Sequence, residues 1–373
     1  MFRLFLSCCN LNSSLLCRTT ASEICKVNYS DRAVKSSKNI LYTQTIQKMH
    51  IPALRLNNGN VIPAIGYGTS RENDEALEKA LDSALKAGYR HIDTAHFYMN
   101  EKPIGNVLNR WITEGKLKRE EIFLVTKLPP FGNRPAGVKK YLKQSLENLQ
   151  VEYVDLYLIH GPFGVKDVEE VPHPGISSGN FELDTTDILS VWKEMENQMN
   201  AGLAKAIGVS NFNKSQIERL LKNCTIKPSC LQIEIHGYLQ QNELVDFCKT
   251  NNIIVTAFSP LGSRSMTSFS AKRGTKLDLP DVLSDPTIQK IAKKHSKTEA
   301  QVMLRFDIQR GIIPIPKSSN PERMQQNLDI FEFELDEQDL KELKSLDAGI
   351  RFFHFRNVGC IAEHPEYPFE NKF

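Results

Sequence analysis

Four side chains in this chain, Asp93, Tyr98, Lys127 and His160, could together hand a proton to an oxygen. A lysine ammonium paired with a buried aspartate and lying close to a tyrosine hydroxyl stabilises the phenolate, which makes the tyrosine a usable proton donor near neutral pH. A histidine beside them could hydrogen-bond a substrate oxygen or the tyrosine itself. Such a set suits protonating an oxygen as negative charge develops there, as when hydride attacks a carbonyl. Each residue alone has a plainer reading. Asp93-Thr94 after a strand suits a helix N-cap, a lysine at a strand end is usually solvated, and a histidine in an apolar run usually sits satisfied in the core.

Spacing is what joins them. Asp93 and Tyr98 fall in Gly88-Tyr-Arg-His-Ile-Asp-Thr-Ala-His-Phe-Tyr98, where a short apolar strand gives way to a loop. Lys127 ends Ile122-Phe-Leu-Val-Thr-Lys127, and His160 ends Val154-Asp-Leu-Tyr-Leu-Ile-His160. The three strand ends are 34 and 33 residues apart, about the length of a βαβ unit. Parallel neighbouring strands would therefore bring all four side chains to one rim of one sheet.

The rest of the chain continues the alternation. Strands end at or near Thr69, Thr94, Lys127, His160, Ser210, His236, Phe258 and Lys317, with helical periodicity between them, as in Ala76, Leu77, Ala80, Leu81, Ala84 and Leu85 before Gly88. Eight βα units predict a closed (β/α)8 TIM barrel, whose chemistry lies on the loops after the strand C-termini. An N-terminal hairpin is expected at Leu54 to Val61 about Asn58-Gly59. Long loops over residues 129–136, 262–284 and 348–373, together with an insertion over 161–186, are expected to shape the substrate site. A doubly wound dinucleotide fold is the competitor, but Gly66-Tyr-Gly68 is followed by Thr-Ser-Arg and lacks the third glycine of that fingerprint.

Composition narrows the field further. The 373 residues are 40% hydrophobic, enough for a large core. The formal charge of +3 hides an asymmetry: residues 1–50 hold seven Lys/Arg and two Asp/Glu, leaving −2 on the remainder. Nucleic-acid binding therefore has no electrostatic basis. Eight cysteines, four of them in the first 25 residues, form no C-x-x-C pair, so free thiols and no metal site are expected. No run of 18 apolar residues predicts a membrane span. Residues 1–48 read as a disordered or alternative N-terminus, or as a targeting segment of transit-peptide-like composition, and residues 49–373 as the barrel. The expected location is cytoplasmic, or mitochondrial if residues 1–48 act as a transit peptide.

The motifs are familiar as a set. Gly88-Tyr-Arg-His-Ile-Asp-Thr-Ala with Tyr98, Asp155-Leu-Tyr-Leu-Ile-His160-Gly-Pro162, Ile207-Gly-Val-Ser-Asn-Phe212 and Ile315-Pro-Lys-Ser318 occur in this order, and the chain from about Met49 resembles the aldo-keto reductase superfamily, its aldose and aldehyde reductase branch in particular. The resemblance implies a metal-free, NADPH-dependent (β/α)8 reductase of small-molecule aldehydes and ketones, expected as a monomer. It makes Tyr98 the general acid, Asp93 and Lys127 its tuning pair, and His160 the group that orients the carbonyl.

By the same resemblance Thr69 and Asp93 border NADPH/NADP+, and Ser210, Asn211 and Gln232 hold the nicotinamide carboxamide. Phe258 replaces the usual stacking tyrosine, and Ser259, Leu261 and Ser263 fold over the pyrophosphate. Lys317, Ser318, Arg323, Gln326 and Asn327 form the adenosine 2′-phosphate site. Charged donors there favour NADPH over NADH, although Lys317 and Arg323 also read as a solvated pair at a helix start.

The chain departs from the family at Ser70, Pro129 and Gly161, where tryptophans are common; its two tryptophans, Trp111 and Trp192, fall on outer helices. A wider pocket, tolerant of bulky or steroid-like ketones, is expected unless Phe131, Phe163, Phe352 or Phe353 turns in. The rival readings are a physiological alcohol dehydrogenase and a cofactor-binding regulatory or structural subunit without turnover. An intact set of four argues against the last.

Overall fold

Strand alternation decides which residues reach the inside of this molecule. The computed structural model describes residues 51–70, 74–167, 182–263, 279–356 and 360–369. An antiparallel hairpin, β1 (Ala53–Arg55) and β2 (Val61–Pro63), comes first. Eight parallel strands follow, β3 (Tyr67–Gly68), β4 (His91–Asp93), β5 (Phe123–Leu128), β6 (Leu156–Ile159), β9 (Ile207–Ser210), β10 (Cys230–Glu234), β11 (Ile254–Phe258) and β12 (Ile312–Pro314), with each pairing to the next. The short ribbon β7 (Gly164–Val165) with β8 (Leu183–Asp184) lies between β6 and β9.

The sheet closes on itself at a seam between its first and last strands. The Gly66 N–H donates to the Pro314 carbonyl at 3.0 Å and the Gly68 N–H to the Pro316 carbonyl at 3.1 Å. The seam is tight enough that a Cβ on Gly68 would lie 2.9 Å from the Ile315 carbonyl oxygen. Gly68 thus serves close backbone approach at a barrel seam, and Gly66 leaves room for the His91 and Ile315 side chains. The fold is the (β/α)8 barrel expected.

Alternation then sorts the side chains by period two. On β5, Phe123 and Val125 point into the barrel and Leu124 and Leu128 point out to the helices. The inward set Phe123, Val125, Leu156, Leu158, Ala206, Cys230 and Ile313 forms a lower core, plugged by Leu56 and Ile62 of the hairpin. The next inward positions above that plug are Lys127 on β5 and His160 just past β6, and on β4 the step from His91 reaches Asp93.

Helices pack the outside through apolar stripes such as Leu77, Ala80, Leu81, Ala84 and Leu85 of α1 (Asp74–Ala87). The helices after it are α2 (Glu101–Thr113), α3 (Pro135–Leu149), α4 (Ile188–Asn200), α5 (Lys214–Asn223), α6 (Asn242–Thr250), α7 (Pro286–His295), α8 (Glu299–Gln309), α9 (Pro321–Leu328) and α10 (Glu337–Lys344). Trp111 on α2 and Trp192 on α4 are buried in this outer layer, away from the barrel mouth.

One boundary differs from expectation for a local reason. The hairpin turn occupies residues 56–60 rather than Asn58-Gly59 alone, because the Leu56 N–H bonds to the Asn60 carbonyl and the Gly59 N–H to Leu56. α3 starts at Pro135 and α9 at Pro321, since a proline in the first turn loses no helical hydrogen bond. The insertion after β6 carries the β7–β8 ribbon. The readings for residues 1–48, and those parts of the insertion and loops within 168–181, 264–278, 357–359 and 370–373, lie outside the described residues.

Candidate active site

Lys127 is the centre of the rim. It is fully buried, and its Nζ donates to Asp93 Oδ1 at 2.6 Å and to the Thr94 carbonyl at 2.8 Å. The other Asp93 oxygen, Oδ2, accepts from Gln232 Nε2 at 2.8 Å. Tyr98 sits above, its ring centroid 5.1 Å from Lys127 Nζ and 5.5 Å from the His160 ring, edge-on. The four residues read from strand spacing therefore meet within one cluster.

Electrostatics differ sharply across it. Burial disfavours the Lys127 ammonium, but the Asp93 carboxylate and Tyr98 outweigh that cost and hold its pKa above the ordinary lysine range. His160 is driven the other way. Burial and then the nearby Lys127 charge push its pKa well below the usual imidazole value, so it is neutral at physiological pH. Its Nδ1 is buried without a hydrogen-bond partner among the described residues. Its backbone is pinned on both sides, N–H to the Leu128 carbonyl at 3.1 Å and carbonyl to Asn211 Nδ2 at 2.9 Å.

The loop that carries Tyr98 is braced by residues that strand spacing did not reveal. Tyr98 ends a short 3-10 turn, His96–Tyr98, terminated by Met99 in the left-handed region at φ 59°. Beneath it Glu101, the first residue of α2 and 2% exposed, accepts from Thr126 Oγ1 at 2.6 Å on one oxygen and lies 3.3 Å from His96 Nδ1 with the other. Thr126 adjoins Lys127 and His96 is two residues before Tyr98, so one carboxylate ties both neighbourhoods. Asn100 accepts from Thr94 Oγ1 at 3.0 Å and donates to the Thr69 carbonyl at 2.8 Å. Sequence held only the hint of polar residues at the head of an apolar helix.

The residues expected around a cofactor lie along the same rim. The Thr69 hydroxyl is turned onto the Asp93 carbonyl at 2.9 Å. Ser210 ends β9, and Asn211, left-handed at φ 61°, keeps its Oδ1 buried without a hydrogen-bond partner among the described residues. Phe258 ends β11 half-buried, Ser259 turns the chain at φ 52°, and Leu261 and Ser263 follow half-buried. Lys317 and Arg323 are exposed, with Ser318 and Asn320 between them. Asn320 caps α9 by accepting from the Arg323 N–H at 2.9 Å, so this cationic pair flanks a helix N-terminus. Gln326 is half-buried and Asn327 buried on that helix.

Aromatics fill part of the mouth. Phe131 is buried against Phe97, His96 and Tyr141. Phe163 lies close over Gly161, where a Cβ would meet its ring at 3.1 Å, so the ring occupies the space above this residue. Phe352 turns away to stack on His236, whereas Phe353 meets Phe258 edge-on at 5.5 Å.

A closed βα barrel thus carries a buried acid–lysine pair, a tyrosine and a neutral histidine at the carboxyl rim, where barrel enzymes hold their catalytic groups. The model of the aldo/keto reductase family matches residues 64–348. The chain is 40% identical over 325 residues to human aldo-keto reductase family 1 member C3, covering 86% of this chain and 98% of that one. It is 38% identical over 326 residues to prostaglandin F synthase 1 of Bos taurus, again 86% and 98%. The solved aldose reductase of Schistosoma japonicum superposes with a TM-score of 0.77 at 38% identity, covering 87% of this chain and all of that one.

The chain belongs to the aldo-keto reductase family. It is accordingly an oxidoreductase of carbonyl and alcohol groups, and its family generally uses NADP(H). Among the described residues no helix is long and apolar enough to cross a membrane.

Proposed function

We propose that this chain reduces aldehydes and ketones with NADPH, Tyr98 protonating the oxygen. The observation that carries the reading is the fully buried Lys127 ammonium held between Asp93 and the Tyr98 ring. An ammonium there stabilises the phenolate left behind when Tyr98 gives up its proton. Neutral His160 donates a hydrogen bond that orients the carbonyl without competing for that proton. Bound NADPH supplies the hydride.

The donor set fits such a cofactor. Asn211 Oδ1 is a buried acceptor in need of an N–H, and with Ser210 and Gln232 it suits a carboxamide. Phe258 offers an aromatic face. Ser259, Leu261 and Ser263 suit the pyrophosphate, and Lys317, Ser318, Arg323, Gln326 and Asn327 a 2′-phosphate at a helix N-terminus. Thr69 acts through the Asp93 backbone that it fixes.

For substrate we favour bulky or steroid-like ketones, because Ser70 and Pro129 keep two positions small where tryptophans are common, although Phe163 turns in over the third, Gly161. A relative named prostaglandin F synthase 1 is in keeping with that choice. The test is NADPH consumption by the full chain with an aromatic aldehyde and a steroid ketone, beside Tyr98→Phe and beside NADH. Turnover should fall by about 10²-fold or more in the variant while NADPH still binds. Binding without turnover of any carbonyl would overturn the reading, and small aldehydes far outranking every bulky ketone would overturn the substrate choice.

A further inference from the structure

Glu234 belongs to none of the groups above. It ends β10, is fully buried, and by alternation with Cys230 and Gln232 points into the mouth of the barrel, directly above the glutamine that holds Asp93. A carboxylate in such a place is costly unless it is paired and hydrogen-bonded. Its Oε1 accepts the Phe352 N–H at 2.7 Å and lies 3.1 Å from His236 Nε2. Its Oε2 accepts the Phe353 N–H at 3.0 Å, with the Arg351 guanidinium 3.7 Å away.

Both amides belong to the segment that follows α10. That segment is stitched to the β10–α6 loop, where the Tyr238 carbonyl accepts the N–H groups of Ala348 at 3.2 Å and Ile350 at 3.0 Å. The Phe352 ring stacks on His236 at 4.3 Å. Phe353 then reaches the other way, edge-on to Phe258, the residue that pairs with Glu234 in the neighbouring strand. One side chain thus fixes two consecutive backbone amides, and the ring carried by the second bears on the aromatic at the end of β11.

We propose that Glu234 is a positioning residue: it latches residues 351–353 across the barrel mouth, and the Phe353–Phe258 contact so enforced sets both the grip on the nicotinamide ring and the size of carbonyl admitted. The second half rests on reading Phe258 as the cofactor-stacking residue. A purely structural carboxylate would affect melting temperature and leave cofactor affinity unchanged.

The experiment uses the full chain with Glu234→Gln and Phe353→Leu. Glutamine keeps the shape but turns an NH2 toward one of the two backbone N–H donors, so deuterium uptake at residues 351–353 should rise about tenfold or more. NADPH affinity, read from NADPH fluorescence, should weaken roughly tenfold, and KM for a steroid ketone should shift more than kcat for an aromatic aldehyde. Phe353→Leu should reproduce the loss of NADPH affinity with wild-type exchange at residues 351–353 and an unchanged melting temperature. Unchanged exchange in Glu234→Gln overturns the latch. Freed amides with unaltered NADPH affinity, or wild-type affinity in Phe353→Leu, overturn its link to the cofactor. A wild-type chain that binds no NADPH fails the cofactor reading itself, and the exchange data still judge the latch.

Discussion

Gln232 and Asp93 meet across the barrel, amide to carboxylate at 2.8 Å, although 139 residues separate them. The contact occupies the Asp93 oxygen that Lys127 leaves open, so the carboxylate is held from two sides and cannot swing away from the lysine.

Asp93→Asn tests what that carboxylate does. The amide keeps the shape but removes the charge opposite a fully buried ammonium. Breaking such a pair from one side costs about 3–5 kcal/mol, and Lys127 should lose protons at lower pH. We predict a drop in urea midpoint together with a fall in kcat of about tenfold to 10²-fold that deepens as pH rises. Wild-type kcat at pH 8 would show that the charge is irrelevant to Tyr98.

Lys317 and Arg323 predict cofactor discrimination. Charge-assisted hydrogen bonds to a phosphate contribute about 1.5–3 kcal/mol each, so replacing either by alanine should weaken NADPH binding about tenfold. NADH binding should stay within twofold. Equal losses for the two cofactors would move the 2′-phosphate elsewhere.

Acid should destabilise the barrel through its buried histidines. Burial pushes His91 down to about 4, despite the help of Asp93, and pushes His160 well below 6.5. Between about 6.5 and about 4 the unfolded chain takes up protons that the folded chain refuses, so stability is present above 6.5 and lost as pH falls through this window. His91 alone should account for about 3 kcal/mol. Asp307 opposes this over the same window, so the check is a difference: in urea unfolding from pH 7 to 4 the wild type should lose about 3 kcal/mol more than His91→Gln, and an equal slope in both proteins would refute the assignment.

Asp307 predicts the opposite sign. It is fully buried on α8, neither carboxylate oxygen has a hydrogen-bond partner among the described residues, and Arg310 stands 3.6 Å off, so burial raises its pKa to about 7. The folded chain keeps a proton that the unfolded chain releases above about 3.8, and stability is lost as pH rises toward 7. Asp307→Asn should therefore gain on the wild type as pH rises from 4 to 8, by about 2–4 kcal/mol, the sign at any one pH depending also on Arg310, which loses its carboxylate neighbour. A uniform gain or loss across pH would exclude ionisation as the cause.

Much of this was written in the chain at short range. Inward positions two apart carried Phe123, Val125 and Lys127 to one face of β5, and equal spacing of βα units set Asp93, Lys127 and His160 side by side. What stayed hidden depends on contacts that no local pattern encodes. Glu234 meets Phe352 and Phe353 across more than a hundred residues, and Phe163 occupies the space over Gly161 only because the loop after β6 folds back. Glu101 carried no signal of its own, because its partner Thr126 lies 25 residues on, in β5.

The seam has a consequence for synthesis. Along β12 the backbone of Ile315 faces β11, donating to the Ala257 carbonyl at 3.0 Å, whereas the residues facing β3 are Pro314 and Pro316. Their carbonyls accept from Gly66 and Gly68, but a proline has no N–H to offer in return. Until the ring closes, this last strand is an open edge of the sheet, the kind of border along which chains pair edge to edge. At these two successive positions the border offers carbonyl acceptors and no donors, so it matches the Gly66 and Gly68 amides of its own first strand and gives a foreign strand fewer partners.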